Sequence, residues 1–404
     1  MLMPHSSDRK PLHRVRRVLH GGSLLAFDAV HATTGIVEAM HATIAARAFP
    51  LGRGRERTGG ITRLVYGSIR GINGLLRRGV EFSLGQLGGD AHLLPGDPRE
   101  DAAMAALNGV LGDYLERSGN PLALPMRLRR NGHPLTLEPA PLAAALPAAS
   151  PRPLVLVHGL CMNDHQWLRH GHDHGAMLEA ELGYTAVRAY YNSGRHISQN
   201  GRELAQQLEA LVAAWPVPVE ELVLLGHSMG GLVARSAVHY GRAAGHRWCA
   251  SLGALAFLGT PHHGATAERI GTYVQRAISL SPYSAPIASI GALRSAGITD
   301  LRHGNLVDAD WDGHDRFDRA DRRAAHALPE GVRCFAVAAT KSPAGAPRPA
   351  GDGLVPVASA LGQHRQSERT LGFPPERQLL IHEANHWDVL DRIEVREHLR
   401  RWLA

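Results

Sequence analysis

Glu221-Leu222-Val223-Leu224-Leu225-Gly226-His227-Ser228-Met229-Gly230-Gly231-Leu232 is the stretch whose reading decides the fold of this chain. Its apolar run, free of polar alternation, fits a strand covered on both faces. The run enters a G-x-S-x-G pattern, and a helical segment follows from about Leu232. A serine on so sharp a strand-to-helix turn must take strained backbone angles, and side chains at Gly226 and Gly230 would collide with neighbouring backbone. The turn lifts the hydroxyl above the sheet edge, and the helix N-terminus beneath it favours the negative charge of an attack. Ser228 is therefore the candidate nucleophile, on an elbow built from Gly226, His227 and Gly230.

Similar short apolar runs recur on both sides: Leu154–Val157, Ala186–Tyr190, Leu252–Leu258, Val332–Val337 and Gln378–Ile381. Helical segments such as Gly201–Ala214 and Leu232–Tyr240 lie between them, so the spacing predicts an α/β protein with an open, mostly parallel sheet. Ahead of these, Leu124–Arg130, Asn131-Gly132 and Pro134–Leu137 read as a hairpin, because Asn-Gly supplies the positive φ of a tight turn. Residues 138–153, rich in Pro and Ala, read as a connecting stretch.

The strand Val155-Leu156-Val157 ends in His158-Gly159-Leu160, where a loop able to stabilise an oxyanion is expected. A tetrahedral intermediate needs two preorganised N–H donors, expected from Leu160 or Cys161 and from Met229, the residue after the nucleophile. His158 reads as a brace for this loop and Cys161 as a small packing residue.

With Gly259-Thr260-Pro261-His262-His263-Gly264, these residues resemble the bacterial triacylglycerol-lipase branch of the α/β-hydrolases, and the likeness extends to the C-terminus. The resemblance implies the α/β-hydrolase fold, a catalytic Asp in Asp352-Gly353-Leu354-Val355 and a base in Asn385-His386-Trp387-Asp388. The chain order Ser228, Asp352, His386 is the one this fold uses. On chemistry, His386 would take the Ser228 proton and Asp352 would orient its ring. Rival carboxylates are Glu383, Asp388 and Asp300, and rival histidines are His382, His262 and His263; these read as surface or packing groups. Some relatives hold calcium partly through the Asp equivalent to Asp388, but no matching upstream carboxylate is evident here. The tract His170-Gly171-His172-Asp173-His174 reads as a solvated loop, so neither metal nor cofactor is expected.

The 404 residues allow a large catalytic domain and a smaller appendage, read here as a helical N-terminal extension over 1–123 and an α/β-hydrolase domain over 124–404. A lid or cap insertion is expected at about 265–331, where apolar cover would suit acyl chains. In the extension, helices are predicted over residues 24–47, over 61–80 and from Arg99 to Arg117. The second carries Ile61, Val65, Ile69, Ile72, Leu76 and Val80 on one face, with Arg63, Arg70 and Arg77 on another. The first 90 residues hold 13 Lys/Arg against 6 Asp/Glu, a net +7 equal to that of the entire chain.

Such asymmetry fits helices that pack on the catalytic domain or touch an anionic membrane surface peripherally. It does not fit nucleic acid, since no aromatic residues interleave the arginines. No apolar run is long enough to span a bilayer. Three widely spaced cysteines, Cys161, Cys249 and Cys334, form neither a disulfide framework nor a zinc pattern, and a cytoplasmic setting, free or membrane-associated, is expected. The function expected is hydrolysis of ester or lipid substrates through an acyl-enzyme. The alternatives are acyl transfer from the same intermediate and a non-catalytic membrane-associated binding role.

Overall fold

A computed structural model describes residues 9–48, 60–85, 98–266, 270–271, 294–316, 318 and 320–404. The chain divides into two compact units, one made of Met1–Leu94 with Ser118–Leu122 and the other of Pro95–Arg117 with Ala123–Ala404.

In the smaller unit, helices α1 (Arg9–Ala48) and α2 (Gly60–Gly85) lie against each other. Polar links join them: Arg70 pairs with Glu38 at 2.6 Å, Arg77 with Asp28 at 2.5 Å, and Asn73 Nδ2 donates to the Phe27 carbonyl at 2.8 Å, while Leu24 of α1 and Tyr66 of α2 are buried. Arg70, Asn73 and Arg77 recur at the three-to-four-residue spacing of one helix face, so this face is the one that meets α1.

The larger unit begins with α3 (Pro98–Arg117) and contains one eight-stranded sheet. Its strands are β1 (Arg127–Arg130), β2 (His133–Pro134), β3 (Pro153–Val157), β4 (Thr185–Tyr190), β5 (Leu222–His227), β6 (Leu252–Leu258), β7 (Arg333–Ala339) and β8 (Gln378–Ile381). In space they run β2-β1-β4-β3-β5-β6-β7-β8. The β1 strand is antiparallel to β2 and β4, and every other pairing is parallel. Asn131 and Gly132, at φ 52° and 76°, turn β1 into β2 as the Asn-Gly signal predicts. The stretch read as a bare connection contains a short helix, α4 (Pro139–Ala145), which buries Leu142.

Buried strands explain the unbroken apolar runs, for every residue of β3 and β5 is buried. Leu154, Leu156, Val223, Leu225, Ala256, Leu258 and Val337 share one core, and each large aliphatic side chain so buried contributes about 1.5–3 kcal/mol. Helix α5 (His174–Leu182) is capped by the Asp173 carboxylate at its start and by Gly183 in the left-handed conformation at its end. Helices α6 (Ile197–Ala214) and α7 (Met229–Ala243) pack together, and α7 starts directly after Ser228.

The sequence reading places α3 in the N-terminal extension, whereas α3 packs as part of the sheet-bearing unit. Asn108 Oδ1 accepts the Leu124 N–H at 2.9 Å, the Gly112 carbonyl accepts from Asn192 at 2.9 Å, and the Gly109 carbonyl accepts from Ser295 at 2.6 Å. Of the expected lid over 265–331, residues 267–269, 272–293, 317 and 319 lie outside the described residues.

Candidate active site

Ser228 sits between β5 and α7 at φ 54° and ψ −126°, a conformation that costs a non-glycine residue about 1–3 kcal/mol. Close packing enforces it. A Cβ at Gly230 would lie 2.0 Å from the Val157 carbonyl oxygen, and one at Gly226 would lie 2.5 Å from Gly231 Cα. The Ser228 N–H donates to the Leu258 carbonyl at the end of β6, 2.8 Å away, which ties the elbow to the neighbouring strand.

The next residue on that strand, Gly259, links the elbow to the other two candidates. A Cβ there would lie 3.3 Å from His386 Cε1 and 3.7 Å from Asp352 Oδ2. Asp352 follows β7 and His386 follows β8, so all three come from loops at the same end of parallel strands. Ser228, Asp352 and His386 are each 3% exposed or less.

His386 Nδ1 lies 2.7 Å from Asp352 Oδ2, while Asp352 Oδ1 accepts the Leu354 and Val355 amides at 2.8 and 2.7 Å. An ionised carboxylate only accepts, so Nδ1 carries the proton of this bond and Nε2 is the lone-pair nitrogen of the neutral ring. The tight turn around Asp352 is possible because Gly351 and Gly353 adopt φ 109° and 100°.

The loop after β3 reaches the serine from the other side, where a Cβ on Gly159 would lie 3.0 Å from Ser228 Cβ. Of the two candidate loop donors, Cys161 commits its N–H to Ser193 Oγ at 3.0 Å. Met229 opens α7, where the first amides have no partner within the helix. Burial pushes the Cys161 thiol up to about 12, so it is protonated and inert at neutral pH.

His158 braces the loop: burial lowers its pKa to about 4, and its neutral ring stacks on Tyr191, whose hydroxyl donates to the His158 carbonyl at 2.6 Å. Burial likewise holds His227 well below the usual range; its ring lies 5.0 Å from that of His386, with Nε2 3.4 Å from the His386 carbonyl.

Several of the rivals have surroundings of their own. Asp300 accepts the Ile197 amide at the start of α6 at 2.9 Å. His262 is buried against Arg235 and Phe257, and burial lowers His263 to about 4. Asp388 accepts the Asn385 N–H at 2.8 Å and stands 3.3 Å from the Arg169 guanidinium, a cation of the chain itself.

The histidine tract corrects one expectation. His174 is fully buried, donating to or accepting from His172 at 2.9 Å and reaching the Val389 carbonyl at 3.0 Å, and burial lowers its pKa to about 4. Only His170 of the three is well exposed.

Several supports were invisible in the sequence. Tyr191 and Ser193, just beyond β4, hold the loop after β3, and α3 presses on it so closely that a Cβ at Gly109 would lie 2.3 Å from Cys161 Sγ. Asp101 of α3, Asp164 and His165 could in principle hold a metal, but buried Arg129 bridges both carboxylates at 3.0 and 3.1 Å. Its guanidinium lies 3.5 Å over the Tyr190 ring. No motif announces this ion cluster, because its members are distant in sequence.

A mostly parallel sheet, a serine on a strand-to-helix elbow and a buried His-carboxylate pair from the loops after the last two strands define the α/β-hydrolase fold. Residues 148–323 match the family described as PGAP1-like alpha/beta domain. Among solved structures, the mature form of the lipase BlEst2 from Bacillus licheniformis is 19% identical, with a TM-score of 0.37 over 66% of this chain and 92% of that one. The esterase Pf2001 from Pyrococcus furiosus is 15% identical, with a TM-score of 0.37 over 64% and 84%. EstA from Clostridium botulinum is 12% identical, with a TM-score of 0.36 over 63% and 87%. No curated protein matches the chain.

Proposed function

We propose that this protein is a serine hydrolase cleaving carboxylic esters, of lipids or other acyl compounds, through Ser228, His386 and Asp352. The observation that carries this reading is the 2.7 Å bond between buried Asp352 and His386, on loops that close around the strained Ser228 elbow. His386 Nε2 takes the Ser228 proton as Oγ attacks the ester carbonyl, and the Leu160 and Met229 amides hold the resulting oxyanion. His386 then returns the proton to the leaving alkoxide, which departs as the alcohol. Water, activated by the same imidazole, releases the acid from Ser228.

A panel of p-nitrophenyl esters from acetate to palmitate tests this. Wild-type protein is expected to release free acid, and Ser228→Ala to lower kcat by about 10⁴-fold or more. Unchanged turnover in Ser228→Ala would refute the reading. Run with added alcohols, the same panel separates free acid, the expected product, from the new ester that an acyltransferase would make.

A further inference from the structure

The α1/α2 unit turns a polar face of α2 toward α1 and leaves an apolar stripe in the open. In a water-soluble helix pair the apolar stripes meet and the charges face outward. Here Arg70, Asn73 and Arg77 of α2 are spent on Glu38, the Phe27 carbonyl and Asp28, while the apolar stripe Ile69, Ile72, Leu75 and Leu76 is 39–68% exposed. On α1, Val18, Leu19 and Val30 are 44–58% exposed. No exposed residue between Val18 and Thr33 is Asp, Glu, Lys or Arg, and among the described exposed residues of α2 the only such charge is Arg78.

Charge selects the surface that would cover this face. The two helices carry ten Lys/Arg against three Asp/Glu, a net +7. Two of those acids, Asp28 and Glu38, are consumed in the ion pairs between the helices. An apolar face on a strongly cationic body matches a bilayer with anionic headgroups, which offers hydrocarbon and negative charge together; a second copy of the chain would add a further positive body. No helix among the described residues is long and apolar enough to cross a membrane, so the pair would lie in the interface.

We propose that the α1/α2 pair docks the protein on anionic lipid bilayers through Val18, Leu19, Ile69, Ile72, Leu75 and Leu76. The internal ion pairs hold the helices together while the apolar side chains enter the acyl boundary. The docking does not require the chemistry at Ser228.

Flotation of the full-length protein with vesicles of phosphatidylcholine, with or without phosphatidylglycerol, tests the proposal. Wild type and Ser228→Ala are expected to float equally with the anionic vesicles, more than with the neutral ones, and less as NaCl rises. The double variant Ile72→Glu/Leu75→Glu should lose at least about tenfold of this partition. Ile72→Trp/Leu75→Trp, which keeps the face apolar, should retain it, and equal far-ultraviolet circular dichroism shows that both variants fold. The proposal is overturned if helical wild type stays with the protein fraction, if the Glu variant floats as well as wild type, or if the face instead holds a dimer that the Glu variant splits. Wild-type protein that floats as expected but turns over no ester would refute the hydrolase reading alone.

Discussion

A Cβ built on Gly230, in the sheet-bearing unit, would lie 2.0 Å from a backbone oxygen, whereas one built on Gly71 of α2 meets nothing within 4 Å. Charges differ in the same sense. Arg129 is buried in an ion cluster inside the larger unit, which also holds a broad apolar core, while in the helix pair ion pairs join the helices and the apolar stripe of α2 faces out. The larger unit is a close-packed interior that fixes a few polar groups to fractions of an ångström. The smaller joins its helices through ion pairs and leaves the apolar stripe of α2 exposed. Substitutions should therefore cost most where backbone presses on backbone and least on the open helices.

The largest effect is expected at the Asp352–His386 bond. Asp352→Asn should lower kcat by about 10⁴-fold, because an amide in that place favours the wrong tautomer of His386; steady-state kinetics on the best ester checks this. Gly230→Ala comes next. Its methyl has no room beside the Val157 and His158 carbonyls, and displacement of the elbow should cost about 1–3 kcal/mol in chemical denaturation together with a large loss of turnover.

Acid provides a third contrast. His158 and His174 have pKa values lowered to about 4 by burial, so in the unfolded chain they bind protons first. Stability is thus complete above about pH 6.5 and falls as pH drops toward 4, by about 1.4 kcal/mol per pH unit for each histidine across that window. Thermal melts between pH 7 and 4 should show His174→Gln losing less stability with acid than wild type, even if it is weaker at pH 7. Gly71→Ala is the smallest change and has the opposite sign: on an open helix it should add about 1 kcal/mol, seen as a small gain in helicity or Tm.

The same contrast explains what the sequence could tell. Leu222–Leu225 is apolar throughout because both sheet faces are covered, and the elbow needs glycine at two fixed positions, so both leave marks in the chain. The place of α3 left none: its contacts run through Asn108, Gly109 and Gly112, residues that read only as weak helix formers. In α2 the apolar period announced a helix and a stripe but could not say which stripe has a partner; the arginine stripe is the one that meets α1. The buried state of His174 was equally hidden, because the Val389 carbonyl that receives it is far away in sequence.

The central claim is that Ser228 is activated by His386 held by Asp352, and its most direct test is labelling of the intact protein with a fluorophosphonate probe followed by peptide mass mapping. Covalent modification should fall on Ser228, disappear in Ser228→Ala and slow strongly in Asp352→Asn. Labelling that persists in Ser228→Ala, or wild-type protein that takes no label while folded, would contradict it.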